Sequence, residues 1–353
     1  MVRKYSLSEK NAKLLGRTYL YQNILWLAYS ASGAEFAFHG TECLIELVGD
    51  DMATAVGEEI HRARVAIYVN NELVLDDLVD ARNKSYQVLK SEVAKDVTIR
   101  IVKLSETTDS IVGIGVVVIE GTPIQKTKEK ARKIEFIGDS ITCGYGVEEE
   151  LGGIYSTSNE NAMKAYAYQT ALALDADYSL VCISGYGIIS GYTGSGIKNE
   201  TQLILPYYDK IGMSYGTIAS QIPPQTIDWD FAKFIPDIIV INLGTNDASY
   251  CGTDVKRCRE FELGYLEFIK LVRRKNPSAK IVCTFGIMGD SLYPYLVKAV
   301  IAYKEETKDE NIVTLRFEVQ LEEDGYAVDS HPSIVTHTKA AIKLTNFMKS
   351  LIL

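Results

Sequence analysis

One segment constrains this chain more than any other: Ile134-Glu135-Phe136-Ile137-Gly138-Asp139-Ser140, followed by Ile141-Thr142-Cys143-Gly144-Tyr145-Gly146. A short apolar run, which reads as a buried strand, stops at Gly-Asp-Ser and gives way to a turn of small residues. A tight strand-to-helix turn of this kind presents a nucleophilic serine with its hydroxyl facing outward. The triplet gains weight from three later segments. Cys182-Ile183-Ser184-Gly185-Tyr186-Gly187 ends a second strand-like run over 178–183. Asn242-Leu243-Gly244-Thr245-Asn246-Asp247 ends a third over 237–243, and Asp329-Ser330-His331-Pro332 lies near the C-terminus.

The patterning changes character along the chain. Residues 1–120 read as β. Runs at 34–38, 44–48, 65–69, 72–75, 97–102 and 112–119 alternate or are β-branched, and Asn70-Asn71 fits a two-residue hairpin turn. The apolar run 24–31 reads as the first strand. Short strands between turn signals indicate a β-sandwich of jelly-roll type. A charged connector spans 121–132, and strands alternate with helices over 133–353. Phe261, Tyr265, Phe268, Ile269 and Val272 fall on one face of a helix, Pro277 follows, and 280–285 and 312–317 are strand-like. The expected fold is therefore α/β: a β-sandwich domain, then a doubly wound parallel sheet, whose sites form at the carboxyl ends of its strands.

At 353 residues the chain suits two domains. A net charge of −9 argues against nucleic acid as a partner, because phosphates repel such a surface. No run approaches the roughly 18 apolar residues of a membrane span. The six cysteines show no zinc-ligand spacing, so no metal is expected. Cys182 and Cys283 read as small buried hydrophobes, and Cys251 with Cys258 as a possible local disulfide. The start of the chain does not read as a signal peptide. A complete chain implies the cytoplasm, and a leader removed beforehand implies secretion.

Gly-Asp-Ser, the later Ser-Gly, Gly-Thr-Asn-Asp and Asp-x-His-Pro together resemble the SGNH (GDSL-like) hydrolase superfamily over about 133–353. The form Gly-Asp-Ser-Ile-Thr-Cys-Gly-Tyr-Gly behind a β-rich domain resembles, more narrowly, carbohydrate esterase family 2. That resemblance implies a cofactor-free serine esterase removing acetyl groups from xylan, glucomannan or mannan. It implies an oxyanion hole of the Ser140 N–H, the Gly185 N–H and the Asn246 side-chain amide.

A serine hydroxyl needs a base. Of the four histidines, His39 and His61 lie in the β-rich part and His337 reads as a packing or capping residue, which leaves His331 as general base for Ser140. Asp329 is the candidate orienting acid. Most superfamily members place that acid three residues before the histidine, where this chain has Val328, so a backbone carbonyl near Ser330 is the alternative. Asp139 and Asp247 read as loop-holding residues. Among 22 tyrosines, Tyr145, Tyr186 and Tyr250 lie in the motif loops and suit sugar faces. The absence of a long apolar stretch near the motifs favours a small acyl group. A lipase, thioesterase or arylesterase, an acyltransferase and a non-catalytic glycan binder are the competing readings. The oligomeric state is not legible.

Overall fold

The structure is a computed structural model describing residues 1–352. The chain forms two compact units: 1–130 with 156–160 and 210–229, and 131–155 with 161–209 and 230–353.

The first unit carries ten strands: β1 (Val2–Ser6), β2 (Lys13–Leu15), β3 (Thr18–Tyr21), β4 (Ile24–Leu27), β5 (Gly33–Gly49), β6 (Arg64–Val69), β7 (Glu72–Leu78), β8 (Asn83–Lys103), β9 (Val112–Gly121) and β10 (Gln125–Lys126). They form one antiparallel, sandwich-like sheet ordered β3-β4-β9-β5-β8-β6-β7, with β1 on β9, and β2 and β10 on β5. The inner face is the alternating apolar set, including Phe36, Ile45, Ile67, Ile99, Ile101 and Ile114. Two expected short strands, 34–38 and 44–48, are one 17-residue strand, β5. Register shifts at Gly40/Glu42 and Cys43/Leu44 let the chain bend and continue, where the sequence suggested a break. The expected first strand is the fourth, and the expected connector contains β10. Asn70 and Asn71 take positive φ (52° and 69°) between β6 and β7, as a type I′ hairpin requires.

The second unit is a parallel sheet ordered β12-β11-β13-β14-β15, with β11 (Arg132–Gly138), β12 (Ala176–Cys182), β13 (Ile238–Asn242), β14 (Lys280–Ile287) and β15 (Ile312–Val319). Its helices are α1 (Ser140–Cys143), α2 (Tyr166–Ala173), α3 (Thr245–Cys251), α4 (Val255–Lys275), α5 (Tyr293–Thr307) and α6 (Ile334–Ile352). β12 and β13 are buried along their length and β11 from Ile134 onward, as strands covered on both faces must be. α4 buries the predicted stripe of Phe261, Tyr265, Phe268, Ile269 and Val272. Asp254 caps its start through the N–H groups of Lys256 and Arg257, and Arg273, Arg274 and Lys275 complement its end. All six cysteines are buried thiols, so Cys251 and Cys258 are not bonded. Among the described residues, no helix is long and apolar enough to cross a membrane.

Candidate functional site

β11 ends at Gly138, and the nucleophile turn follows at once. Asp139 caps α1, its carboxylate accepting from the Ile141 N–H at 3.1 Å. Ser140 is thus the first helical residue, just beyond β11, an interior strand of the parallel sheet. Its Oγ lies 2.8 Å from Nε2 of His331, which comes from the loop between β15 and α6.

The other nitrogen of that imidazole fixes its chemistry. Nδ1 sits 3.0 Å from the Val328 carbonyl. A carbonyl can only accept, so Nδ1 carries the proton and Nε2 presents a lone pair to the serine hydroxyl. Burial holds the His331 pKa below the ordinary histidine value, outweighing the Val328 carbonyl and the Asp329 charge that push it up. The imidazole is therefore neutral near pH 7, as a general base must be.

Asp329 is not the partner of Nδ1. Asp329 and Ser330 adopt the left-handed conformation (φ 52° and 61°), and this tight turn directs the Val328 carbonyl, rather than the Asp329 carboxylate, at the imidazole. The carboxylate is solvent-exposed and accepts instead from the Tyr145 hydroxyl at 3.0 Å. Gln320 supports the same turn, donating from Nε2 to the Ser330 carbonyl at 2.8 Å.

Gly146 explains how the two loops come so close. A Cβ there would lie 2.6 Å from Cβ of Val328, so only glycine lets the nucleophile turn meet the residue that orients the base.

Gly185 follows β12 with φ 78°, a conformation that favours glycine. Its carbonyl accepts from the Tyr192 N–H at 2.9 Å. Its own N–H has no protein acceptor among the described residues, leaving it available to an oxyanion. Asn246 opens α3 beyond β13, and one of its amide hydrogens goes to the Tyr186 carbonyl at 2.9 Å. That bond fixes the amide and leaves its second N–H. Asp247 takes the N–H groups of Ile188, Ile189 and Ser190 at 2.7–3.0 Å and so shapes the loop behind Gly185. Burial raises its pKa to about 6, against the pull of those three donors. His337 is buried, accepts from the Tyr166 N–H at 3.2 Å, and is pushed down to about 3, so it stays neutral.

Two of the three tyrosines expected to face substrate are otherwise engaged. Tyr186 is 2% exposed and packs edge-on against Tyr207, so it offers no open ring face. Tyr145 stacks on Tyr155 (centroids 4.0 Å apart, planes within 5°) and on His331 (4.4 Å, 31°). Tyr250 is partly exposed, with the Arg257 guanidinium 4.5 Å from its ring centre. Tyr155 and Gln320 were not singled out from sequence; a backbone carbonyl near Ser330 was the alternative orienter of the imidazole, and the Val328 carbonyl takes that place. Tyr155 carries no motif, and a backbone carbonyl leaves no side-chain signal at all.

Among the described residues, three buried carboxylates in the first unit, Glu106, Asp109 and Glu160, bring their oxygens within 4.8 Å of one another. Burial pulls the pKa of the neighbouring Lys103 down, and these three carboxylates push it back up.

A family model described as the GDSL-like Lipase/Acylhydrolase family matches residues 136–315. The chain is 35% identical over 235 residues to the cellulase/esterase CelE of Acetivibrio thermocellus, covering 65% of this chain but only 27% of that protein. It is 23% identical over 342 residues to an acetylxylan esterase / glucomannan deacetylase of Cellvibrio japonicus, covering 96% and 88%. A family two carbohydrate esterase from Clostridium thermocellum, solved in complex with cellohexaose, superposes with a TM-score of 0.82 at 28% identity, covering 97% of this chain and 99% of that one.

Proposed function

Since the chain belongs to the GDSL-like lipase/acylhydrolase family, we propose that it is a serine O-acetyl esterase of plant hemicellulose, acting on acetylated xylan or glucomannan oligosaccharides. The observation that carries this reading is the 2.8 Å contact between Ser140 Oγ and Nε2 of a histidine whose Nδ1 is held by a carbonyl.

In the proposed reaction Ser140 attacks the acetyl carbonyl while His331 takes its proton. The oxyanion is met by the N–H groups of Ser140 and Gly185 and by the free amide hydrogen of Asn246. His331 then gives the proton to the departing sugar oxygen, leaving Ser140 acetylated. Water, deprotonated by His331, attacks the acetyl-enzyme; acetate leaves, and the serine recovers its hydrogen. No step calls for a cofactor. A carbohydrate substrate is supported by the names of the relatives and by Tyr192. That ring is 62% exposed, and its backbone is tied to Gly185. A flat ring there suits a sugar face.

The test is acetate release from acetylated xylan and acetylated glucomannan by the wild type, Ser140→Ala and His331→Ala. The wild type should release acetate, and each variant should fall by at least about 10³-fold. A wild type that cleaves only a short aryl ester overturns the hemicellulose assignment. Variants that retain activity overturn the serine mechanism.

A further inference from the structure

Asp329 presents a puzzle. It sits two residues before the base in a left-handed turn, yet its carboxylate accepts from the Tyr145 hydroxyl while Nδ1 is taken by the Val328 carbonyl. The ring of that same Tyr145 lies against the imidazole, 4.4 Å between centroids and tilted by 31°. Tyr155 stacks on Tyr145 at 4.0 Å and nearly parallel, which holds the ring in place.

We infer that Asp329 and Tyr145 act as one positioning unit for His331, in which the carboxylate is linked through the tyrosine to the face of the imidazole instead of to its edge. The role rests on the Ser140–His331 reading above. His331 becomes an imidazolium each time it takes the serine proton. A cation next to the face of a tyrosine ring is stabilised by the ring quadrupole. A carboxylate hydrogen-bonded to the phenol adds negative charge behind that face. The usual edge-on acid is thus replaced by two weaker supports: the Val328 carbonyl at Nδ1 and the Tyr145–Asp329 pair on the ring face. Tyr145 and Asp329 are therefore positioning residues, not catalytic ones.

The groups facing His331 are Ser140 from α1, Tyr145 from the turn after it, Asp329 from its own loop, and His337 from α6. His337 is neutral over the working range. Asp329 is the charged member of this set, and it favours the protonated base.

The experiment measures kcat/KM against pH for Tyr145→Phe, Asp329→Asn and the double variant. A short aryl ester at low ionic strength keeps the outcome independent of the natural substrate and limits screening of the exposed carboxylate. Each single variant is expected to lose about tenfold. In both, the acidic limb should move to lower pH, because losing the negative support makes the base easier to deprotonate. The double variant should lose little more than either single one, since both break the same link. Losses without movement of the limb mean a merely structural role and overturn the inference. So do additive losses, a shift in only one variant, or no loss. Ser140→Ala, run in parallel, separates these failures from failure of the serine mechanism.

Discussion

In the β unit, buried charge is met by opposite charge. Lys103 is fully buried and donates to the carbonyls of Ser105 (2.7 Å) and Glu106 (2.5 Å) amid the carboxylates of Glu106, Asp109, Glu160 and Asp50. His61 meets Asp109 at 2.8 Å, and Arg64 holds Asp76 with two nitrogens. In the α/β unit, the two fully buried acids that frame the site, Asp139 and Asp247, have no such counter-ion. Backbone N–H groups hold them instead, one on Asp139 and three on Asp247. Ion pairs tolerate some movement, whereas N–H groups fix a carboxylate to a particular turn. The first arrangement suits holding strands and loops together. The second suits placing a nucleophile and an oxyanion donor to within a fraction of an ångström.

The sharpest break of this comparison is Lys103→Met. It removes the cation and leaves its carboxylates uncompensated, which should cost about 3–5 kcal/mol of stability. Urea denaturation should show a lowered midpoint, while kcat/KM per folded molecule stays near wild type. A fall in kcat/KM at unchanged stability would tie the cluster to catalysis and collapse the distinction between the two units.

Next in size is Asn246→Ala. Its amide is held by the Tyr186 carbonyl, so its free hydrogen is preorganised. Removing it should reduce kcat by roughly 10²–10³-fold, with KM nearly constant. Its melting temperature should change far less than that of Lys103→Met. A rise in KM alone would make Asn246 a ground-state binding residue instead.

Much of the site was readable because its chemistry is concentrated in side chains at strand ends. Ser140, His331, Gly185 and Asn246 each follow an apolar run or lie in the last loop, and parallel topology draws those positions to one edge of the sheet. Other features left no comparable trace. The partner of Nδ1 is a backbone carbonyl, and any residue at 328 would supply one. Tyr145 and Tyr186 looked alike as loop aromatics. Burial of one and stacking of the other on His331 emerge only from tertiary packing. The length of β5 was obscured because its apolar pattern lapses between 38 and 44, whereas register shifts at Gly40/Glu42 and Cys43/Leu44 let the strand run on. The hairpin at Asn70-Asn71 was legible because a two-residue turn has a local rule of its own.

The last effect depends on pH and probes the α/β side of the comparison. Asp139 is fully buried, and its Oδ2 meets no partner among the described residues while the other oxygen caps α1. Burial raises its pKa to about 7, and the nearby Asp247 charge adds to the rise. An unfolded aspartate titrates near 3.9. Between those two values the native state holds a proton that the unfolded chain has lost. The contribution of Asp139 to stability is therefore greatest below about pH 4, falls as pH rises toward 7, and is level above that. Asn at this position keeps the oxygen that accepts from Ile141 but cannot ionise. Asp139→Asn should match the wild type at pH 4 and exceed it at pH 8 by up to about 4 kcal/mol, the full linkage of a pKa raised from near 3.9 to about 7. Urea midpoints at pH 4, 6 and 8 measure this directly. A gap that opens between pH 4 and 7 means that the backbone donor does not fully offset the burial of this charge beside the nucleophile. A gap independent of pH would mean that the turn stabilises the ionised carboxylate as well as water does, and that the acids of the two units differ only in their partners.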